Sequence, residues 1–247
     1  ILQENQLYVK LNKCSFAQQE LEYLGHVISG AGVQTDPAKI AAVQNWPVPT
    51  NVKQVRGFLG LTGYYRKFIK NYGIISRTLS DLLKKDVIFQ WTPTAEAAFQ
   101  SLKTALAQAP VLALPDFKKT FVIETDASNS CIGAVLMQSG HPIAYLSKAL
   151  GPQAQALSTY EKECLAIILA VDKWQSYLHH APFIISTDHK SLLHLTEQKV
   201  SNSMQQKALL KLMGFTYTVV YKKGKENTAS DSLSKVPESA TLHSMTF

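Results

Sequence analysis

Four carboxylates stand in contexts that suit metal-assisted chemistry. Asp126 ends the apolar run Phe121-Val122-Ile123-Glu124-Thr125, and Asp188 ends a second, Phe183-Ile184-Ile185-Ser186-Thr187. Glu163 lies in Tyr160-Glu161-Lys162-Glu163-Cys164-Leu165-Ala166, a stretch of helical character, and Asp231 lies in Asn227-Thr228-Ala229-Ser230-Asp231-Ser232-Leu233-Ser234-Lys235. Taken one at a time, a strand-end aspartate is ordinarily a turn or cap former. A helical glutamate is a solvated charge, and an aspartate near a helix start partners the helix dipole. Two acids at strand ends and two on helices can nonetheless converge on one sheet edge. Unpaired, such groups repel and some take up protons. Divalent cations remove that conflict, since hard ions such as Mg²⁺ take oxygen ligands. Two ions roughly 3.5–4 Å apart can hold the attacking and leaving oxygens of a phosphodiester. The chemistry this arrangement points to is metal-dependent phosphodiester cleavage by the C-terminal half.

The pattern predicts the elements that must hold these acids. Residues 1–35 carry extended runs at Leu7–Leu11 and Leu21–Ile28, broken at Gly30 and Gly32, which reads as a hairpin or small sheet edge. Asp36-Pro37 opens a helix with Asp as cap and Pro at its first position, and Trp46-Pro47-Val48-Pro49 stops it. Asn51 caps a longer helix to about Ile69, and a third runs from about Ile74 to Lys85. Val87–Trp91 is a short strand or extended connector. Pro93–Ala107 is amphipathic, with Ala97, Ala98, Leu102 and Leu106 at helical spacing. Strand-like runs follow near 120–125, 131–138 and 142–147, punctuated by Gly133 and Gly140. A long helix from about Gln155 to Leu178 comes next, then a strand at 183–187, helices at 190–196 and 203–212, a strand at 215–221 and a last helix near 226–234. The fold class is α/β, a mixed sheet with flanking helices, preceded by a small hairpin and a helical segment. The stretch after Pro237 is polar and aperiodic.

Composition narrows the class of partner. The 247 residues are 46% hydrophobic, as in a globular chain, with no apolar run long enough to span a bilayer and no secretory pattern at the start. Cys14, Cys131 and Cys164 are odd in number and far apart, without a C-x-x-C pair, which fits a reducing compartment and argues against disulfides or a zinc site. His179, His180, His189 and His194 lack ligand spacing. A net charge of +7 favours a polyanionic partner.

Ordered phrases along the chain carry a family resemblance. Thr125-Asp126-Ala127-Ser128, Pro142-Ile143-Ala144-Tyr145, Tyr160-Glu161-Lys162-Glu163, Thr187-Asp188-His189-Lys190-Ser191-Leu192, Tyr221-Lys222-Lys223-Gly224 and Asp231-Ser232-Leu233-Ser234-Lys235 resemble the RNase H domain of gypsy-class long-terminal-repeat (LTR) retrotransposon Pol polyproteins. Upstream, Lys13-Cys14-Ser15-Phe16, Tyr23-Leu24-Gly25-His26-Val27-Ile28-Ser29, Phe58-Leu59-Gly60-Leu61 and Tyr64-Tyr65-Arg66 resemble the end of that family's reverse transcriptase. The resemblance implies a palm end with a primer-gripping hairpin over 1–35, a thumb over 36–88, a connector over 89–117, an RNase H-like domain over 118–236 and a tail over 237–247.

By the same resemblance, Asp126, Glu163, Asp188 and Asp231 are the catalytic and metal-binding residues, with Asp126 bridging two Mg²⁺ ions that Mn²⁺ can replace. Glu161 lies about half a turn from Glu163 and faces elsewhere. The implied substrate is the RNA strand of an RNA–DNA hybrid, told from DNA by its 2′-hydroxyls, and the products carry 5′-phosphate and 3′-OH ends. Arg56, Gly60 and Tyr64 recur every four residues and share a helix face that resembles a minor-groove track, or else pack on a neighbouring helix. Lys190, with His189, is placed to approach substrate phosphate. Two departures stand out. No histidine occurs in Tyr221–Lys225, where related enzymes carry one, and serines flank Asp231 where alanine is more typical.

The polymerase Tyr-x-Asp-Asp turn is absent, and the first aspartate is Asp36, so polymerase activity is not expected of this chain alone. The expected partners are an RNA–DNA hybrid, a template–primer duplex and the upstream palm and fingers of the same polyprotein, with no membrane. The expected location is the cytoplasm, within a virus-like particle, or the nucleus, and not the secretory route. Two other readings are a catalytically inactive remnant acting as a nucleic-acid-binding or structural module, and an integrase-like nuclease. The latter's Asp, Asp, Glu order and zinc module do not match.

Overall fold

The computed structural model describes residues 1–10, 12, 14–194 and 203–223. A small antiparallel sheet comes first: β1 (Glu20–Tyr23), β2 (His26–Ser29) and β3 (Gly32–Thr35) in that order. The predicted single strand Leu21–Ile28 is thus two strands. Leu24 and Gly25 both take positive φ (49° and 73°), giving a two-residue turn whose twist matches the strands it joins. No strand forms at Leu7–Lys10, where the chain is exposed and has no partner strand.

Helix α1 (Pro37–Gln44) starts as predicted, with Asp36 Oδ1 accepting from the Ala38 amide at 2.8 Å. Asn51 caps α2 (Val52–Tyr64) through the Gln54 amide at 3.0 Å. That helix stops five residues before the predicted Ile69, because the next turn, Arg66–Phe68, is 3₁₀. Tyr65 and Phe68 are both fully buried, and the Tyr65 hydroxyl donates to the Gly25 carbonyl at 2.7 Å, so the chain turns to seat them against the hairpin. The predicted helix Ile74–Lys85 is two short ones, α3 (Tyr72–Ile75) and α4 (Arg77–Asp81). Val87–Trp91 forms no strand, and α5 (Pro93–Ala107) has its predicted bounds.

The main sheet has five strands: β4 (Val122–Ala127), β5 (Cys131–Gln138), β6 (His141–Ala149), β7 (Phe183–Thr187) and β8 (Tyr217–Tyr221). Their order is β6-β5-β4-β7-β8, with β6, β5 and β4 antiparallel and β4, β7 and β8 parallel. The long helix expected from Gln155 is divided into α6 (Pro152–Gln155) and α7 (Thr159–Leu178) by Ser158. Ser158 forms a reciprocal capping box with Glu161, which fixes the α7 start. Lys190–His194 is a 3₁₀ turn, and α8 spans Ser203–Leu212 as predicted.

Alternation along the strands gives the sheet two apolar faces. Ile123, Ala134 and Leu136 pack on Ile167, Ala170 and Val171 of α7 and on Ala208 and Leu212 of α8. Val135 and Tyr145 point the other way, into a second core with Phe58, Phe99, Leu102 and Leu106 from α2 and α5. Residues on either side of the predicted boundary near Phe117 therefore share one core. No described helix is long and apolar enough to cross a membrane.

Candidate metal centre

The register of the sheet brings the first and third acids together. Strands β4 and β7 run parallel with Val122, Ile123 and Glu124 opposite Ile184, Ile185 and Ser186. The same offset carried two residues further sets Asp188 level with Asp126. Helix α7 lies across these strands and delivers Glu163 from its second turn. One carboxylate oxygen from each of Asp126, Glu163 and Asp188 lies within 4.8 Å of the others. Asp231 and the helix predicted at 226–234 lie outside the described residues.

The site is desolvated and strongly acidic. Glu163 is 2% exposed and Asp126 6%, while Asp188 is half-buried at the rim. The Ala127 amide donates to Glu163 Oε1 at 3.1 Å, which fixes the carboxylate against the strand end. Glu163 Oε2 is buried and meets no hydrogen-bond donor among the described residues. Burial, with Asp126 and Asp188 next to it, pushes the Glu163 carboxyl up to about 8 despite the Ala127 bond. Without a cation Glu163 therefore keeps its proton at neutral pH. An all-oxygen donor set with an orphan carboxylate oxygen fits a hard divalent ion.

Comparison with known proteins gives the chain a family. Residues 91–185 match the family described as the RNase H-like domain found in reverse transcriptase. Over 245 residues the chain is 40% identical to the retrovirus-related Pol polyprotein from transposon 297 of Drosophila melanogaster, covering 98% of this chain and 23% of that polyprotein. Against the corresponding polyprotein from transposon gypsy of the same organism, identity is 39% over 259 residues, covering 96% and 25%. The chain belongs to the Pol polyproteins of LTR retrotransposons. It spans about a quarter of the length of these relatives. Among solved structures, the foamy viral protease-reverse transcriptase in complex with RNA/DNA hybrid superposes with a TM-score of 0.79 at 23% identity, covering 96% of this chain and 33% of that one. The dRH form in complex with ds DNA gives 0.79 at 22% identity, covering 90% and 41%. At that identity the likeness speaks for the fold.

Supports around the acids of this Pol segment escape a reading by sequence alone. Glu124, two residues before Asp126, is 3% exposed on the central strand and ion-paired with Lys222 just beyond β8. Lys162 looks like a solvated helix charge, yet it is 5% exposed and its Nζ donates to Asn129 Oδ1 at 3.3 Å. Ser128 Oγ accepts from the Ser130 and Cys131 amides, closing the turn that leaves the site. His189 donates its amide to Thr187 Oγ1 at 3.2 Å, and its ring meets Tyr160 edge-on at 5.7 Å. Lys190 is exposed, with Nζ 5.3 Å from the centre of the Tyr221 ring. Glu161 is occupied by its capping box, away from the acids.

The predicted face on α2 is open. Arg56 and Gly60 are exposed, and nothing lies within 4 Å of where a Gly60 side chain would begin, so Gly60 does not pack on a neighbouring helix. Tyr64, 52% exposed, stacks on His26 at 5.4 Å and donates to the Leu24 carbonyl at 2.5 Å. Its first role is to hold the hairpin turn.

Proposed function

We propose that this segment is a ribonuclease H, hydrolysing the RNA strand of RNA–DNA hybrids during reverse transcription of the element. The observation that carries the reading is the convergence of Asp126, Glu163 and Asp188, from two strands and a helix, on one desolvated point. These three, completed by Asp231, would hold two Mg²⁺ ions. Bound there, the ions supply Lewis-acid chemistry, acidifying a water and stabilising the leaving 3′ oxygen. The chain's own residues prepare the place: the Ala127 N–H orients Glu163, and burial keeps competing water away from Asp126. Half-buried Asp188 marks the open side, where exposed Lys190 would meet an approaching phosphate and His189 would lie beside it. Upstream, residues 1–35 and 36–88 are assigned to the palm end and thumb of the reverse transcriptase. Arg56 and Gly60 leave an open face for duplex there, and the palm and fingers of the same polyprotein are the natural partner.

The test is cleavage of an end-labelled RNA–DNA hybrid with Mg²⁺ by the chain and by its Asp126→Asn variant. Expected are cuts in the RNA strand only, with 5′-phosphate ends, and loss of cutting in the variant. Cutting of the DNA strand, or undiminished cutting by the variant, would overturn the assignment. A folded wild type that binds hybrid without cutting it would be an inactive binding module.

A further inference from the structure

A basic groove runs along the seam between the N-terminal helices and the edge of the main sheet. Two cavities adjoin there, of about 250 and 410 Å³, with Arg66, Tyr72 and Ser147 lining both. Lys67 and Lys173 add charge to the first, and Arg77, Lys84 and Lys148 to the second. The one acid among the described lining residues, Asp81, is already paired with Lys84 at 2.6 Å. Over the whole chain the ratio of Lys and Arg to Asp and Glu is 25 to 18, so six cations against one acid, with five left over once Lys84 is paired to Asp81, is a local concentration.

The seam is built rather than incidental. The Gly73 amide donates to Ser147 Oγ at 3.1 Å, and a side chain at Gly73 would meet the Ser147–Ala149 backbone at 2.9 Å. Helix α3 thus sits directly on strand β6. Its two ends are informative. Tyr64, at the end of the open α2 face, lines the first cavity. At the other end the sheet register runs Ala127–Ile132–Lys148, so Lys148 is level with the strand end that carries Asp126. Two strand spacings separate them, about 10 Å. The groove thus runs along the β6 edge from Tyr64, at the end of the open α2 face, to a point two strands from the one that carries Asp126. Neither cavity is large enough to enclose a double helix. A phosphate chain in a positively charged groove is the way single strands are held without regard to sequence.

We propose that this groove binds single-stranded nucleic acid, namely the strand that runs on from the end of a hybrid seated at the acids. The proposal rests on the nuclease reading only for what lies at its end, so binding is measured without metal, where cleavage plays no part. The experiment uses the full chain in EDTA and fluorescence anisotropy with a labelled oligo(dT) strand and, separately, a blunt RNA–DNA hybrid. Arg77→Glu/Lys148→Glu is expected to weaken single-strand binding about tenfold or more. It should lower the slope of log K against log salt by roughly 1.4, two phosphate contacts at about 0.7 each, while hybrid affinity changes less than about twofold. Both side chains are exposed, and an unchanged melting temperature verifies folding. Arg77→Gln/Lys148→Gln is the milder variant if the reversal unfolds, and the same fall in salt slope is expected. Unchanged single-strand affinity and slope would overturn the proposal. A parallel loss of hybrid affinity would also overturn it, since the groove would then belong to the duplex path.

Discussion

Removing the ionisable group at Glu163 tests the acid cluster through stability alone. In the cation-free fold its carboxyl is raised from 4.5 to about 8 by burial and by the Asp126 and Asp188 charges. Below pH 4.5 the folded and unfolded chains both hold the proton, and this group's contribution to stability is fully present. Between there and about pH 8 the folded chain binds more protons than the unfolded one, so stability falls as pH rises, and the loss is complete above the folded value. At about 1.4 kcal/mol for each pH unit between the two values, the total is on the order of 3–5 kcal/mol. Glu163→Gln keeps the volume and an acceptor for the Ala127 amide but cannot ionise. Urea unfolding in EDTA, followed by fluorescence of the three tryptophans, should show the wild type losing that amount relative to the variant between about pH 5 and about pH 9. Mg²⁺ added at the upper pH should restore the wild type, because a cation binds the folded carboxylate. It should do little for the variant. Parallel pH profiles, or equal Mg²⁺ stabilisation of both proteins, would refute the idea that Glu163 is strained by its neighbours and relieved by a metal.

Three other perturbations separate the supports of the fold. Phe99→Ala empties the core that joins α2, α5 and the sheet, where Phe58 and Phe99 lie 4.5 Å apart, and should destabilise by about 3–5 kcal/mol in urea titrations. Ser158→Ala removes the capping box at the start of α7 and should cost about 1 kcal/mol, with faster amide exchange confined to the first turn of that helix. Lys222→Met leaves Glu124 buried without its partner and should cost roughly 1–3 kcal/mol, Lys222 being partly open to solvent. A second change, Glu124→Leu, should recover much of that loss in a double-mutant cycle.

Local signals made some elements legible to the residue. Asp36-Pro37 announces the start of α1, the helical spacing of apolar residues from Pro93 marks α5, and the largely apolar runs of β5 and β7 need no partner to be recognised. Failures occur where distant contacts decide. The Leu24-Gly25 turn lacks the asparagine or aspartate that advertises such turns, and it is held by hydroxyls of Tyr64 and Tyr65 forty residues away. Those same bonds end α2 early. The Ser158 cap was different, because its Ser-x-x-Glu signature is local; apolar periodicity continuing upstream through Gln155 concealed it.

The acids were legible because their chemistry restricts the alternatives, whereas their supports look ordinary in a list of residues. Glu124 is the instructive case. A glutamate inside an apolar run on the central strand of a sheet has to be paired or neutral, since an isolated buried charge is far too costly. The sequence therefore contains the demand for a cation but not its identity. Parallel pairing supplies the identity: Glu124 lies opposite Ser186, and Ser186 opposite Val220, so the chain leaving β8 passes over the same face with Lys222 two residues on. The resulting pair joins residues 98 positions apart and ties β8 to the strand that carries Asp126. A charge interrupting an apolar strand beside a candidate metal ligand is thus a request for a partner, and strand order determines which residue can answer it.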